Sequence, residues 1–412
     1  MRRAWRIAHS DRPGPVHLDL AREVAEDPLS HRVEAFDTAG IARAAACKPQ
    51  ADAIEETLEL MGAAKRPILW IGRGALSAYQ SGQLKLLVER LGIPVLSTFN
   101  AMETAGAFGE LSFGVLSRVG TSLTRQILAE SDFVLCLGNS LNGVSTKRWT
   151  MKIPTFVQVD VRADQLSAIY NPHVSIIADA GAFCDDVVAR LDANPLKADW
   201  SEWRNACHEM RNSWSDRINQ AVNAASGEPI SPIALMHLFA KLDMDDGANW
   251  SIDASNPGIW AHMLRFRNNA RVLRPVNFSN MGFALGSAIG IALADRSKGV
   301  VNVLIGDGSM GMSLGELETI KRLRVPVRIF VMNDSSLSNI RQEVTYKFKR
   351  NESGFDFTDV RFDKIAEGFG IPAARISKLD ELEAQLRSEP DEFPRLYDIV
   401  IDRAPSVWTD MV

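Results

Sequence analysis

Short, almost wholly apolar runs recur along this chain, many of them alternating with stretches of helical periodicity. Pro67-Ile68-Leu69-Trp70-Ile71-Gly72, Ile93-Pro94-Val95-Leu96-Ser97-Thr98 and Phe133-Val134-Leu135-Cys136-Leu137-Gly138 are the first three, and Thr155–Asp160 and Val174–Ala178 follow. Strands buried on both faces read this way because helices cover both sides of a parallel sheet. The intervening segments Ala51–Ala63, Gln83–Leu91 and Thr121–Ala129 space their apolar residues as amphipathic helices do. The pattern resumes after a polar, Trp-rich interval: Trp250-Ser251-Ile252-Asp253, Val300–Ile305, Val327–Met332 and Leu396–Ile401 are strands. Helices are expected at Pro232–Leu242, Phe283–Ala294, Leu314–Arg322, Phe362–Phe369 and Leu379–Arg387. The fold class is α/β, with two doubly wound parallel-sheet domains. The expected layout is 1–50, the remnant of a further domain with its linker; 51–192, a central Rossmann-like domain; 193–230, a linking helix; and 231–412, the second α/β domain.

Two strand ends of the second domain carry unusual residues. Ile305 runs into Gly306-Asp307-Gly308-Ser309, and Val327–Met332 ends on Asn333-Asp334. In an open parallel sheet, such ends meet at the crevice where ligands bind. The glycines let backbone N–H groups approach a phosphate at the start of a helix whose dipole favours an anion. Asp307 and Asp334 add hard oxygen ligands, which suit Mg²⁺ held against a diphosphate. Either turn alone is ordinary punctuation; the pairing is what carries information.

That pairing resembles the cofactor motif of thiamine diphosphate enzymes, Gly-Asp-Gly and then Asn-Asn. Asn280-Met281-Gly282-Phe283-Ala284-Leu285-Gly286-Ser287-Ala288-Ile289-Gly290 is similar to that family's Met-Gly-Phe helix, and Arg12-Pro13-Gly14-Pro15-Val16-His17-Leu18-Asp19-Leu20 resembles the end of its pyrimidine-binding domain. Nearly the whole chain resembles acetolactate synthase and its relatives. The resemblance implies Mg²⁺ on Asp307, Asp334 and the Ser336 carbonyl, and diphosphate on Ser255, Asn256, Gly306, Gly308 and Ser309. It also implies cofactor contacts from Asn280, Met281 and Ile340, Met281 propping the cofactor into its bent form. Asp334 replaces the family's second Asn at the family's spacing. The added charge either tightens the metal or weakens the cofactor. Pro257 stands where the family has His, and removes a donor. Ile340, where decarboxylase-type relatives have Glu, is closer to carboligases, whereas Glu343 departs from the substrate-selecting Trp of acetolactate synthases. Arg341 either meets a substrate carboxylate or is a solvated helix residue.

The implied activity is decarboxylation of a 2-keto acid followed by C–C ligation. The alternatives are a non-ligating decarboxylase or 2-hydroxyacyl lyase, and a catalytically silent cofactor-binding or regulatory subunit. The family's activating Glu lies in a pyrimidine-binding domain of which residues 1–20 resemble only the last helix and strand. A homo-oligomer or a separate pyrimidine-domain chain is therefore expected to complete the site. FAD is not expected: Gly72-Arg73-Gly74 is followed by Ser77 where a dinucleotide fingerprint has glycine, and Ser140-Leu141-Asn142-Gly143-Val144 replaces the acidic-basic run of FAD-binding relatives.

Composition narrows the partners. A net charge of −5 leaves no basic footprint for nucleic acid. No apolar run approaches membrane-span length. Cys47, Cys136, Cys184 and Cys207 lack metal spacing and fit free thiols in a reducing cytoplasm. His17, His173, His208, His237 and His262 show no triad or metal spacing and are expected to be surface or satisfied histidines.

Overall fold

The computed structural model describes residues 1–10, 12–28, 46–225, 227–276, 278–295, 299–350, 354–388 and 393–407. Most of the expected 21–50 linker lies outside the described residues.

Two six-stranded, wholly parallel sheets form the molecule. The first is built from β1 (Pro67–Ile71), β2 (Val95–Thr98), β3 (Ser112–Leu116), β4 (Phe133–Leu137), β5 (Thr155–Asp160) and β6 (Val174–Ile177), in the order β3-β2-β1-β4-β5-β6. The second holds β7 (Asn249–Ile252), β8 (Arg271–Leu273), β9 (Val301–Gly306), β10 (Val327–Asn333), β11 (Ala373–Ile376) and β12 (Arg395–Val400), in the order β11-β12-β10-β9-β7-β8. Every residue of β1 and β4 is buried, and so are the first five of β9, which is why their sequences admit no polar alternation. Each sheet buries apolar side chains on both faces, worth roughly 1.5–3 kcal/mol per large side chain removed from water.

The helices at Ala51–Ala63, Gln83–Leu91, Phe283–Ala294 and Leu379–Arg387 span the expected residues. The Trp-rich interval forms one 24-residue helix, Ser201–Ala224. It crosses the junction between the sheets. Trp203 near its start donates from Nε1 to the Pro67 carbonyl at 3.0 Å, while Ile218, Ala221 and Val222 near its end pack on the core of the second sheet. Trp200, just ahead of it, donates to the Ala64 carbonyl at 2.9 Å.

Val16–Leu20 is extended but pairs with nothing among the described residues, and every one of its residues is exposed or partly exposed. A lone alternating segment has neither a ladder partner nor a face to bury.

The two sheets are held together by buried polar contacts. Gly106 N–H donates to the Phe266 carbonyl at 2.9 Å, in contact too close for any Cβ at Gly106. Arg274 is buried against the face of Phe99 and donates to the Phe99 carbonyl at 2.8 Å. The His262 ring stacks on the same Phe99 at 4.6 Å.

Candidate functional site

The second sheet reverses direction between β7 and β9: the chain leaves β7 toward β8, and leaves β9 toward β10 on the other side. The loops after these strands diverge there, as such topology requires. A cleft opens at this point. It is lined by Ala254–Pro257 after β7, Gly306–Ser309 after β9, and Asp334 with Ser336–Asn339 after β10, with Met281 on one side and Ile401 on another.

Asp307 begins a short helix, Asp307–Met312, directly at the end of β9. Its carboxylate accepts from Gly308 N–H at 2.6 Å and from Ser336 N–H at 3.2 Å, tying the β9 loop to the β10 loop. Burial raises its pKa, and the negative charge of Asp334 raises it further, to about 7. Asp334 is also held above the usual carboxylate range by burial, against the lowering effects of the Ser338 hydroxyl, which donates to it, and of Arg403. A buried and a half-buried carboxylate facing one cleft repel each other, and a divalent cation between them removes that cost. The donors present are therefore those Mg²⁺ takes: carboxylate oxygens and a backbone carbonyl, Ser336, in the same loop. Among the described residues no cluster of three or more His, Cys, Asp or Glu side chains could hold a metal, so the candidate centre has two carboxylates rather than a full side-chain cage.

The glycines form the cradle. A Cβ on Gly308 would meet Leu337 Cδ2 at 3.0 Å and Met281 Cε at 3.1 Å, so Met281 reaches directly over the turn. Gly306 lies under the Pro257 ring, with 3.6 Å left for a Cβ. Small anionic groups fit such a backbone-lined turn, whereas side chains fill it.

Further hydrogen-bonded groups set this geometry. Asp253, fully buried at the end of β7, accepts from Ala254 N–H (2.8 Å), Gly282 N–H (3.2 Å), Ala284 N–H (2.9 Å) and the Ser309 hydroxyl (2.8 Å). It thus joins the β7 loop, the Met281–Gly282 turn and the helix after Asp307. Asn333 donates to the buried Asp398 at 2.8 Å, and Arg375 donates to the other oxygen of that carboxylate at 3.1 Å. This fixes the strand end from which Asp334 projects. Asn339 donates to the Asn256 side-chain oxygen at 2.8 Å across the cleft.

The structure gathers Ser255, Asn256, Met281, Gly306, Asp307, Gly308, Ser309, Asp334 and Ser336 on one lining. Ser255 takes a strained left-handed φ of 73° there. The Ser309 hydroxyl is already committed to Asp253, which leaves its N–H for an anion. Asn280 and Ile340 are not on that lining; Asn280 is exposed ahead of the Gly282 turn, and Ile340 is 44% exposed on the helix Ser338–Phe348. Arg341 lies 3.8 Å from Asp356. His262 is a satisfied core histidine: Nδ1–H donates to the Ile259 carbonyl at 2.6 Å and Nε2 meets the Ser117 hydroxyl at 3.2 Å.

Comparison with known proteins gives two family matches. Residues 54–187 match the family described as thiamine pyrophosphate enzyme, central domain, and residues 253–393 match thiamine pyrophosphate enzyme, C-terminal TPP binding domain. The second match contains the whole cleft except Ile401. Among similar proteins, acetolactate synthase isozyme 1 large subunit of Escherichia coli (strain K12) is 28% identical over 98% of this chain and 70% of its own length. Acetolactate synthase 1, chloroplastic, of Nicotiana tabacum is 28% identical over 97% of this chain and 61% of its own length. The probable acetolactate synthase large subunit of Methanococcus aeolicus is 27% identical over 100% of this chain and 70% of its own length. The chain thus spans between about three-fifths and seven-tenths of these relatives.

Proposed function

Because the chain belongs to the thiamine pyrophosphate enzymes, we propose that its cleft anchors thiamine diphosphate through Mg²⁺ and that the protein acts on 2-keto acids as an acetolactate synthase-like enzyme. The observation that carries this is the pair of carboxylates lining one cleft, buried Asp307 and half-buried Asp334, at adjacent strand ends beside the Gly306–Gly308 turn. Bound there, the cofactor supplies the electron sink for decarboxylating a 2-keto acid and passing its acyl group to an acceptor.

The chain's own residues have separable duties. Asp307, Asp334 and the Ser336 carbonyl hold the cation. The Ser309 N–H, at the start of a helix, takes diphosphate charge beside the Gly306–Gly308 turn, whose Gly308 N–H is held by the Asp307 carboxylate. Met281, over the turn, supports the apolar middle of the ligand, and Pro257 over Gly306 closes the floor. Both cleft carboxylates lie at the diphosphate end. The activating glutamate therefore comes from elsewhere, from a pyrimidine-binding domain of this polypeptide or of a partner chain. The helix Phe283–Ala294 supports an oligomer: it is apolar all round yet exposes Gly286, Gly290 and Leu293, a face that such a helix normally buries.

The test is product analysis. The natural protein is given Mg²⁺, thiamine diphosphate and pyruvate, with and without an aldehyde acceptor. A new C–C-bonded product supports this reading. Carbon dioxide and free aldehyde without ligation identify a decarboxylase or lyase instead. Bound cofactor without turnover, also when a chain carrying the pyrimidine-binding domain is supplied, identifies a silent subunit, the reading favoured by the Asp334 and Pro257 departures.

A further inference from the structure

The cleft carries a negative charge that its family motif lacks, because Asp334 stands in place of Asn. A diphosphate is itself strongly anionic, so a second carboxylate beside it needs an offset. The segment leaving β12 brings one. Ile401 N–H donates to the Asn333 carbonyl at 3.0 Å, which lays residues 401–403 against the end of β10. Arg403 then meets the metal loop with its whole guanidinium. Nε donates to the Asp334 carbonyl, and another nitrogen donates to the Ser335 carbonyl at 2.9 Å. The remaining nitrogen reaches Asp356 at 3.4 Å, a surface carboxylate shared with Arg341 at 3.8 Å.

This arrangement does two things. Phe357 N–H also takes the Ser335 carbonyl, at 2.7 Å, so Arg403 and Phe357 occupy the carbonyls of Asp334 and Ser335 and leave that of Ser336 to the cleft. The planar fork holds a fixed positive charge against the backbone of the residue whose side chain carries the added negative one. Lysine, a point charge on a flexible stem, keeps the charge without the fork.

We propose that Arg403 is a positioning residue that offsets the second carboxylate of the cleft and thereby lets a diphosphate bind beside it. This rests on the reading of the cleft as a Mg²⁺–diphosphate site.

The test is a double-mutant cycle on the full chain, read by calorimetric titration with inorganic diphosphate in saturating Mg²⁺. Removing a fixed charge at this range from a partly buried site is worth about tenfold in affinity. Arg403→Met is expected to weaken diphosphate about tenfold. In an Asp334→Asn background the same substitution is expected to cost less than about threefold, because there is no added charge to offset. Arg403→Lys, which also serves if Arg403→Met does not fold, is expected to retain most of the affinity. Equal losses in both backgrounds, or no loss in either, overturn the proposal and leave the cleft assignment standing. Absence of diphosphate binding by the natural protein at any Mg²⁺ concentration overturns both.

Discussion

The two sheets share a design and differ at the one place where such designs bind ligands. Each is six-stranded, parallel and reversed near its middle, at β1/β4 in one and β7/β9 in the other. In the first, the crevice is filled by backbone. Gly72 N–H donates to the Leu137 carbonyl at 2.9 Å and Gly74 N–H to the Gly138 carbonyl at 3.0 Å. A Cβ on Gly72 would overlap the Gly138 carbonyl oxygen, and one on Gly138 would stand 2.5 Å from Ala75 N. These glycines serve contact between two loops. In the second, the loops after β7 and β9 line an open cleft together with the loop after β10, and Asp307 and Asp334 face into it. Parallel topology thus offers a crevice, but the loop chemistry decides whether it becomes a site or a joint.

The contrast can be broken by substitution. The largest effect is expected in the open crevice. Asp307→Asn should lower the affinity for Mg²⁺–thiamine diphosphate more than about a hundredfold, since a hard anionic ligand is lost. The same substitution should hold or raise the melting temperature of the metal-free protein, because a buried carboxylate repelled by Asp334 is neutralised. A fall in melting temperature with affinity retained would make Asp307 a structural turn residue.

In the closed crevice the sign reverses. Gly72→Ala is expected to cost about 3 kcal/mol in denaturant unfolding, since the clash is with backbone that cannot turn away. Gly306→Ala, with 3.6 Å of room, should cost under about 1 kcal/mol. Comparable losses at the two positions would erase the distinction drawn between the crevices.

The junction between the sheets contributes a pH dependence of its own. Burial, reinforced by Arg274, pushes the pKa of His262 down to about 3, so the folded state holds a neutral ring that an unfolded chain protonates near 6.5. The stability it contributes is fully present above pH 6.5 and is lost as pH falls from there toward 3. Between pH 7 and pH 5 the loss should be about 2 kcal/mol, and His262→Phe should flatten that part of the unfolding profile. An unchanged slope in the variant would mean that the ring is not what makes the junction acid-sensitive.

The smallest effect on affinity is expected at Asp253. Asp253→Asn leaves one acceptor oxygen for four donors and should weaken cofactor affinity by about a few-fold, while costing roughly 1–3 kcal/mol for the donors left unpaired. Unchanged affinity would detach the Met281–Gly282 turn from the site.

Legibility in the sequence followed burial. Central strands such as β1, β4, β9 and β10 announce themselves by continuous apolar runs, because helices cover both faces. The strands that sequence reasoning missed, β3, β8 and β11, are all at sheet edges. Their sequences, Ser-Phe-Gly-Val-Leu, Arg-Val-Leu and Ala-Ala-Arg-Ile, carry too little apolar continuity to read as strands. β3 is nonetheless buried, in part because Arg265 from the second domain donates to the Ser112 carbonyl at 2.7 Å, a contact no local pattern announces. At the site, Asp307, Asp334 and the glycines were readable because strand ends place them by sequence alone. Asp253, Asn339 and Arg403 were not, since the partners through which they join separate loops lie 29 or more residues away. Ile340 and Asn280 were placed by position in a motif, and motif position does not specify which helix face or turn side turns inward.

The most direct test of the open crevice is calorimetric titration of the natural protein with thiamine diphosphate, once with Mg²⁺ and once with EDTA. The account predicts saturable one-site binding with the metal and its loss with the chelator. Binding of equal strength in EDTA, or heat that stays flat in both, would contradict it.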